Sequence, residues 1–443
     1  MSARETFGSR LGVLAAMIGL AVGLGNVWRF PYMVGRYGGG AFLLVYLVVA
    51  ALVAIPALMG EWALGRHTRR GPLGAFERVG LPGGRATGWV LMAIVWAAVS
   101  YYTNAIGWVV YHLLAELSGP FGRPLDGSAI LPPASGVSGR SFALQLFFTS
   151  VLLLVEATVL LRGVRAGIER ASKVLTPVLF LTLLLVIVRS VTLPGAGQGV
   201  RWLFAFDASG VTPTVAIAAL GQVVFSVGLG GTLMTVYGSY LSADTDIRTD
   251  AALTVAGDTA AGLLAGLAIF PAVFALGLEP ASGPGLLFET LPGVFARMPA
   301  GWLFGALFFA GLSGAALLSG IAAYEVLVAG FTDTLGWTRR RAVWTVYAGS
   351  LLLALPPMLN LRIFVPWDLT FGSGGQTLGA LVAVVTVGWV MQRATLLEEL
   401  AGSSASGVDR ALVLWLRWVV PSAVLVAAVW WLLSDVLGAV AGA

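Results

Sequence analysis

The sequence predicts an all-α membrane protein of eleven transmembrane helices, the first and sixth of them broken, and three observations carry that prediction. Charged residues are only 11% of the 443 residues while 58% are hydrophobic; a soluble domain carries about 25% charged residues. Apolar runs of the roughly 20 residues needed to cross about 30 Å of hydrocarbon recur along the whole chain. Glycine triplets interrupt two of these runs, and the interrupted runs each open a set of five.

In order, the spans read 11–35, 41–65, 87–117, 142–161, 167–190, 212–240, 250–278, 302–331, 340–358, 364–392 and 411–437. The first has no small-residue cleavage site and is followed by many more apolar runs, so it reads as a mature span and not a signal peptide. The second ends in a loop carrying Arg66, Arg69, Arg70, Arg78 and Arg85. The third leads into 118–140, rich in Pro, Gly and Ser, which reads as an external loop. Arg162 and Arg165 lie between the fourth and fifth, with Arg170 and Lys173 just beyond. After the seventh, 279–298 has Pro-Gly breaks around Leu286 to Phe295 and reads as an external loop with a short helix of its own. Arg339, Arg340 and Arg341 follow the eighth. Several spans are long enough to tilt or protrude.

Arginine follows the even-numbered second, fourth and eighth spans, so these loops share one side. The positive-inside rule makes that side cytoplasmic, with the N-terminus inside and the C-terminus outside in the cell inner (plasma) membrane. The net charge of +5 is therefore topology and not a nucleic-acid surface. The chain has no cysteine, and His67 and His112 are far apart, which excludes disulfides, thiolate metal sites and a histidine ligand pair.

The first span holds Gly19, Gly23 and Gly25 before Asn26; the sixth holds Gly228, Gly230 and Gly231 after Phe225 and Ser226. Glycine inside a helix costs about 1 kcal/mol relative to alanine, and unwound backbone at membrane depth is tolerated only where it lines a cavity or is buried in protein. Sets of five spans are odd in number, so successive sets run in opposite directions. The chain reads as one transmembrane domain, 1–443, with inverted repeats at 11–190 and 212–392 and an additional helix at 411–437, and with a site near the midplane. Small-residue helix packing is the other reading, which Gly19 and Gly23 would satisfy.

Gly19 through Pro31, GLAVGLGNVWRFP, resembles the first-helix motif of the neurotransmitter:sodium symporter family. Further matches run from Arg36 to Phe42, Glu61 to Arg66, Tyr101-Tyr102, Arg162 to Arg170, Gly221 to Ser226 and Thr290 to Pro292, and on to the end of the eighth helix. The resemblance covers essentially the whole chain and points to the bacterial, leucine-transporter-like amino-acid carriers. It implies sodium-coupled symport of amino acids by alternating access, with no bond chemistry and hence no enzyme. It also implies a lipid-embedded monomer or weak homodimer.

By that resemblance, a first sodium site would use the carbonyl of Ala21 with Asn26, Ser226 and Asp258, completed by a substrate carboxylate. Asp258 stands where many relatives have Asn, and we read its charge as replacing chloride, which is then not required. A buried carboxylate hydrogen-bonded to neighbouring helices is the plainer reading. A second site would use carbonyls of Gly19, Val22 and Ala315 with Ser319. Leu318 stands where relatives have Thr or Asp and has no oxygen to give, so one or two sodium ions, or one and a proton, are all open.

The substrate carboxylate would meet backbone N–H groups near Leu24 and Gly25 and the Tyr102 hydroxyl. Phe225 would close the site, and Val99, Gly228, Gly231 and Ala323 would line the side-chain pocket. Relatives carry larger apolar residues at Gly231 and Ala323, which favours a bulky hydrophobic or aromatic amino acid here. Arg29 and Asp368, with Gln222, would form an outer gate; Arg4 and Asp333, capped by Phe7, an inner latch; static ion pairs are the alternative. Glu61 would support unwound backbone of the sixth helix. His67 and His112 read as loop and helix-surface residues. A membrane sensor of amino acids, or a carrier of another small amine or osmolyte, would keep the same site.

Overall fold

The structure is a computed structural model that describes residues 5–122, 124–278, 286–401 and 406–433. Among these, nine helices are long and apolar enough to cross a membrane. A tenth span arises where α1 (Arg10–Ala21) and α2, whose turns run Gly25–Arg36, meet at a bend of 55°. The long helices are α3 (Gly40–Thr68), α5 (Gly84–Phe121), α6 (Gly139–Leu161), α7 (Val164–Val191), α11 (Ile247–Ala275), α13 (Gly301–Leu335), α14 (Arg339–Leu359), α15 (Leu361–Val390) and α17 (Gly407–Trp431). The span 212–240 is broken where expected, into α9 (Pro213–Ser226) and α10 (Leu233–Gly238). Short helices fill the connections: α4 (Pro72–Arg78), α8 (Ala196–Phe204), α12 (Thr290–Ala296) and α16 (Arg393–Ala401). Of these, α12 stands in the loop where a short helix is expected, whereas α8 has no sequence signal in the reading above.

Helix is the form that satisfies every backbone group without water, and side-chain caps start several of them. Ser9 accepts from Gly12 N, Thr212 from Val215 N, and Asp246 from Arg248 N and Thr249 N. Ser406 and Asp409 close a reciprocal capping box ahead of α17. Leu44, Leu47, Val48 and Leu52 on α3, and Leu181, Leu184, Leu185 and Val188 on α7, are exposed at helical spacing. Such apolar outer stripes match a lipid solvent, while the polar groups turn inward and pair. Thr149 donates to Asn104 Oδ1 at 2.9 Å, and Asn104 Nδ2 donates to the Ala354 carbonyl at 3.0 Å, which ties α5, α6 and α14 together.

The centre of the bundle is built on α13, which packs mainly on α5 and α7 and also touches α1. α11 lies against α7, α8 and α1, and α10 against α3. The two breaks, in the first span and between α9 and α10, therefore face one another between α5, α11 and α13.

Candidate functional site

The first break begins at Val22, whose backbone is extended, and the chain re-enters helix as a π-helical turn, Gly25–Arg29. Asn26, on that turn, is buried and reaches the adjoining elements. Its Nδ2 donates to Asp258 Oδ1 at 2.6 Å, to the Asp258 carbonyl at 3.0 Å and to Ser226 Oγ at 3.0 Å. Its Oδ1 accepts from Gly23 N at 3.1 Å, so the break is held by the same side chain. Ser226 Oγ donates towards both Asp258 oxygens, at 3.0 and 2.9 Å. Tyr46 of α3 donates to Asp258 Oδ2 at 3.3 Å. The tertiary structure thus gathers Asn26, Ser226 and Asp258 from three elements into one oxygen-rich buried cluster. Tyr46 was missed because an aromatic inside an apolar run carries no periodic signal of its own.

Around the second expected ion set, Ser319 Oγ donates to the carbonyls of Leu20 at 3.0 Å and Val22 at 3.3 Å. Leu318 packs onto Gly19: a Cβ there would lie 2.9 Å from Leu318 Cδ1. It would also lie 2.8 Å from the hydroxyl of Thr176 on α7, which donates to the Ala15 carbonyl at 3.1 Å. The hydrocarbon of Leu318 therefore sits where a side-chain oxygen is expected, and Thr176 brings a hydroxyl that no motif announced.

Between these sets, Leu24 N donates to the Tyr102 hydroxyl at 3.3 Å. Gly23 is pinched here: a Cβ would stand 2.6 Å from Ser319 Oγ and 2.7 Å from the Tyr102 hydroxyl. Gly25 lies against the Phe225 ring. Val99 and Ala323 are buried nearby, and the Val99 carbonyl accepts from Thr103 Oγ1 at 2.9 Å and from the Tyr324 hydroxyl at 3.3 Å. In the second break Gly228 and Gly231 have φ of +74° and +68°, a region that costs any residue with a Cβ. A Cβ at Gly231 would lie 2.8 Å from the Gly379 carbonyl and 3.1 Å from the Phe76 ring. Its direction is filled by protein, so its smallness serves packing and adds no room for a ligand. The exposed amides are taken up by Glu61, whose Oε1 accepts from Gly230 N at 2.9 Å and Gly231 N at 3.0 Å.

Above this, the Arg29 guanidinium stacks over Phe225 at 4.4 Å from the ring centroid. Asp368 accepts a hydrogen bond of 2.5 Å from Tyr101. Gln222 Nε2 donates to the Gly25 carbonyl at 3.4 Å. At the opposite end Asp333 Oδ2 accepts from Gly71 N at 2.8 Å, and Arg70 donates to the Asp333 carbonyl at 3.0 Å. Arg4 lies outside the described residues. Phe7 packs between Tyr237 and Tyr240, at 6.0 and 6.2 Å between ring centroids. The histidines differ from expectation. His112 is buried, with Nδ1 2.8 Å from the Trp108 carbonyl and its ring against Phe288 and Phe309. His67 ends a helical turn of α3 near Glu399, 3.7 Å away.

The description "Sodium:neurotransmitter symporter family" matches residues 4–122 and 140–435. The chain belongs to this family. It is 33% identical over 440 residues to the uncharacterized sodium-dependent transporter YhdH of Bacillus subtilis, covering 94% of this chain and 95% of that one. It is 30% identical over 407 residues to the sodium-dependent serotonin transporter of Drosophila melanogaster, covering 80% of this chain and 64% of that one. Its fold is similar to the crystal structure of MhsT in complex with L-phenylalanine, with a TM-score of 0.83, 34% identity, and coverage of 96% of this chain and 99% of that one. As a sodium:neurotransmitter symporter family member, the chain is a membrane transporter and not an enzyme, and its transport is sodium-coupled.

Proposed function

We propose that this chain is a sodium-coupled symporter of amino acids with bulky hydrophobic or aromatic side chains, working by alternating access. The observation that carries the reading is the buried cluster of Asn26, Ser226 and Asp258 beside the Leu24–Tyr102 contact. The breaks leave backbone groups at the centre of the bundle, and the cluster supplies the oxygens and negative charge a cation needs. Amide oxygen and nitrogen exchange places by a half-turn of the Asn26 side chain. A sodium ion at Asp258 and Ser226 draws Oδ1 inward, which releases Gly23 N from its present bond. That N–H then joins Leu24 N and the Tyr102 hydroxyl around a carboxylate, and the carboxylate in turn completes the ion shell. Sodium and substrate therefore raise each other's affinity, as linkage requires.

The preference for a large side chain rests on the small Ala323 and on the likeness to a protein crystallised with L-phenylalanine. Asp258 carries the negative charge, so chloride is not required. The first sodium site is the one coupled to substrate; Leu318 leaves the second weak. α9 and α10 together make the sixth of eleven spans, and the spans divide into inverted repeats at 11–190 and 212–392 with an additional helix at 411–437. The N-terminus is cytoplasmic and the C-terminus outside. Arg29, Asp368 and Gln222 close the outer path, and Asp333 with Arg4 the inner one, while the bundle rocks. The transporter acts as a monomer or weak homodimer.

Uptake of labelled amino acids into proteoliposomes, with an inward sodium gradient or potassium alone, tests this. Sodium-driven accumulation of phenylalanine, tryptophan or leucine is expected. Efficient uptake of glycine with exclusion of tryptophan overturns the substrate class, and counterflow in the absence of sodium overturns the coupling.

A further inference from the structure

Glu156 stands in the last turns of α6, away from the ion cluster, and is fully buried. Neither of its carboxyl oxygens has a hydrogen-bond partner. It takes part in none of the ion pairs among the described residues. A carboxylate that has lost its water and gained nothing is costly, and inside a membrane protein such a group marks function more often than packing.

The neighbouring elements make a defined place for it. Gly320 of α13 faces it, and a Cβ at that position would press directly on Glu156 Oε1, so the glycine leaves the space the carboxyl occupies. Beside it runs a cavity of about 10 Å³, close to the room of one water, lined by Leu153, Leu160, Tyr324, Val343, Val346 and Tyr347. Leu160 and Val343 lie near the arginine-rich end of the bundle, where Arg339 Nε donates to the Leu160 carbonyl at 2.5 Å. The cavity thus adjoins the carboxyl on the side of that end, too lean in polar groups to hold a hydrated metal ion but with room for about one water.

The titratable groups that line the cavity with it are phenols, Tyr324 from α13 and Tyr347 from α14. Glu325, next to Tyr324, is engaged elsewhere, with Arg339 at 2.5 Å and the Tyr240 hydroxyl at 2.6 Å. Gly320, against which the carboxyl lies, follows Ser319 in α13, and Ser319 Oγ and the Tyr102 hydroxyl together crowd Gly23 at the break of the first span.

We propose that Glu156 is a proton-binding site within the helix bundle, reached from the arginine-rich end, whose charge state regulates the substrate site through Tyr102. When ionised, it sets a negative charge behind the phenol that is to hold a substrate carboxylate, and opposes binding. When protonated, it removes that charge. The regulatory half rests on the amino-acid function proposed above; the proton site does not.

Infrared difference spectra of the purified protein in lipid, taken from about pH 5 to about pH 9, test the site without any substrate. A protonated-carboxyl band that titrates in the wild type and is lost in Glu156→Gln is expected. Identical titrations of the two proteins overturn the proposal. Should the Gln variant fail to fold, judged by size exclusion and thermal melting, Glu156→Asp is to displace the band, and an unmoved band is equally fatal. Uptake of labelled L-phenylalanine tests the regulation: apparent affinity is expected to fall about tenfold as pH rises in the wild type and to stay flat in Glu156→Gln. The same pH dependence in both sinks the regulatory half. A wild type that takes up no amino acid refutes the proposed function, and the infrared titration then still decides the proton site.

Discussion

Asn26 and Asp258 meet across the break of the first span, with the amide nitrogen of one 2.6 Å from a carboxylate oxygen of the other. The contact joins a side chain on a π-helical turn to one in the interior of α11. It places the only formal charge of the cluster against the residue that also holds Gly23 N. In the proposed function Asn26 is the hinge between ion and substrate.

Asp258→Ala removes the charge and the acceptor for Asn26, Ser226 and Tyr46 together. The sodium concentration for half-maximal uptake is expected to rise about tenfold to a hundredfold, in line with the loss of hydrogen bonds to a charged group. Asp258→Asn, which keeps an oxygen, falls between. Unchanged sodium dependence in the Ala variant removes Asp258 from the ion site.

Tyr102→Phe deletes the hydroxyl next to Leu24 N and leaves the ring. Substrate affinity is expected to drop about tenfold with little change in thermal stability. Equilibrium binding of labelled phenylalanine in saturating sodium reads the first quantity, and melting in detergent the second. A stability loss with intact affinity makes Tyr102 a packing residue.

Glu61→Ala strands the N–H groups of Gly230 and Gly231 in a buried break. With each of the two unsatisfied buried groups costing roughly 1–3 kcal/mol, a destabilisation of about 2–6 kcal/mol is expected. A melting curve that does not move shows that another acceptor takes over.

Leu318→Thr introduces a hydroxyl beside Gly19, Val22 and Ser319. Sodium dependence of uptake is expected to steepen, with the Hill coefficient moving from near one towards two. The smaller side chain also opens space in a buried contact, at a stability cost of about 1–3 kcal/mol. A Hill coefficient already near two in the wild type contradicts a weak second site.

Much of the site was legible in the chain. Glycine triplets inside apolar runs flagged both breaks, because their paired placement at the start of two five-span sets favours unwinding over small-residue packing. Asp258 was marked by the family resemblance and not by the apolar pattern, which left the equally intramembrane Glu156 unmarked. Tyr46, Tyr101 and Thr176 were not legible, as tyrosine and threonine occur in apolar helices without functional meaning. His112 was misread as a surface residue because periodicity cannot show that Phe288 and Phe309, far along the chain, close over it.

What the sequence determined by itself is the membrane environment, the course of the spans and the places where helix fails, because hydrocarbon imposes length and apolarity on each segment locally. What only the tertiary structure decided is which groups share a point in space. Asn26, Ser226 and Asp258 come together through packing across the bundle. Gly231 turns its bare Cα towards Gly379 and Phe76 rather than a ligand. Glu156 is left without a partner. Each depends on contacts between residues far apart in the chain, and no run of neighbouring residues encodes a distance of that kind.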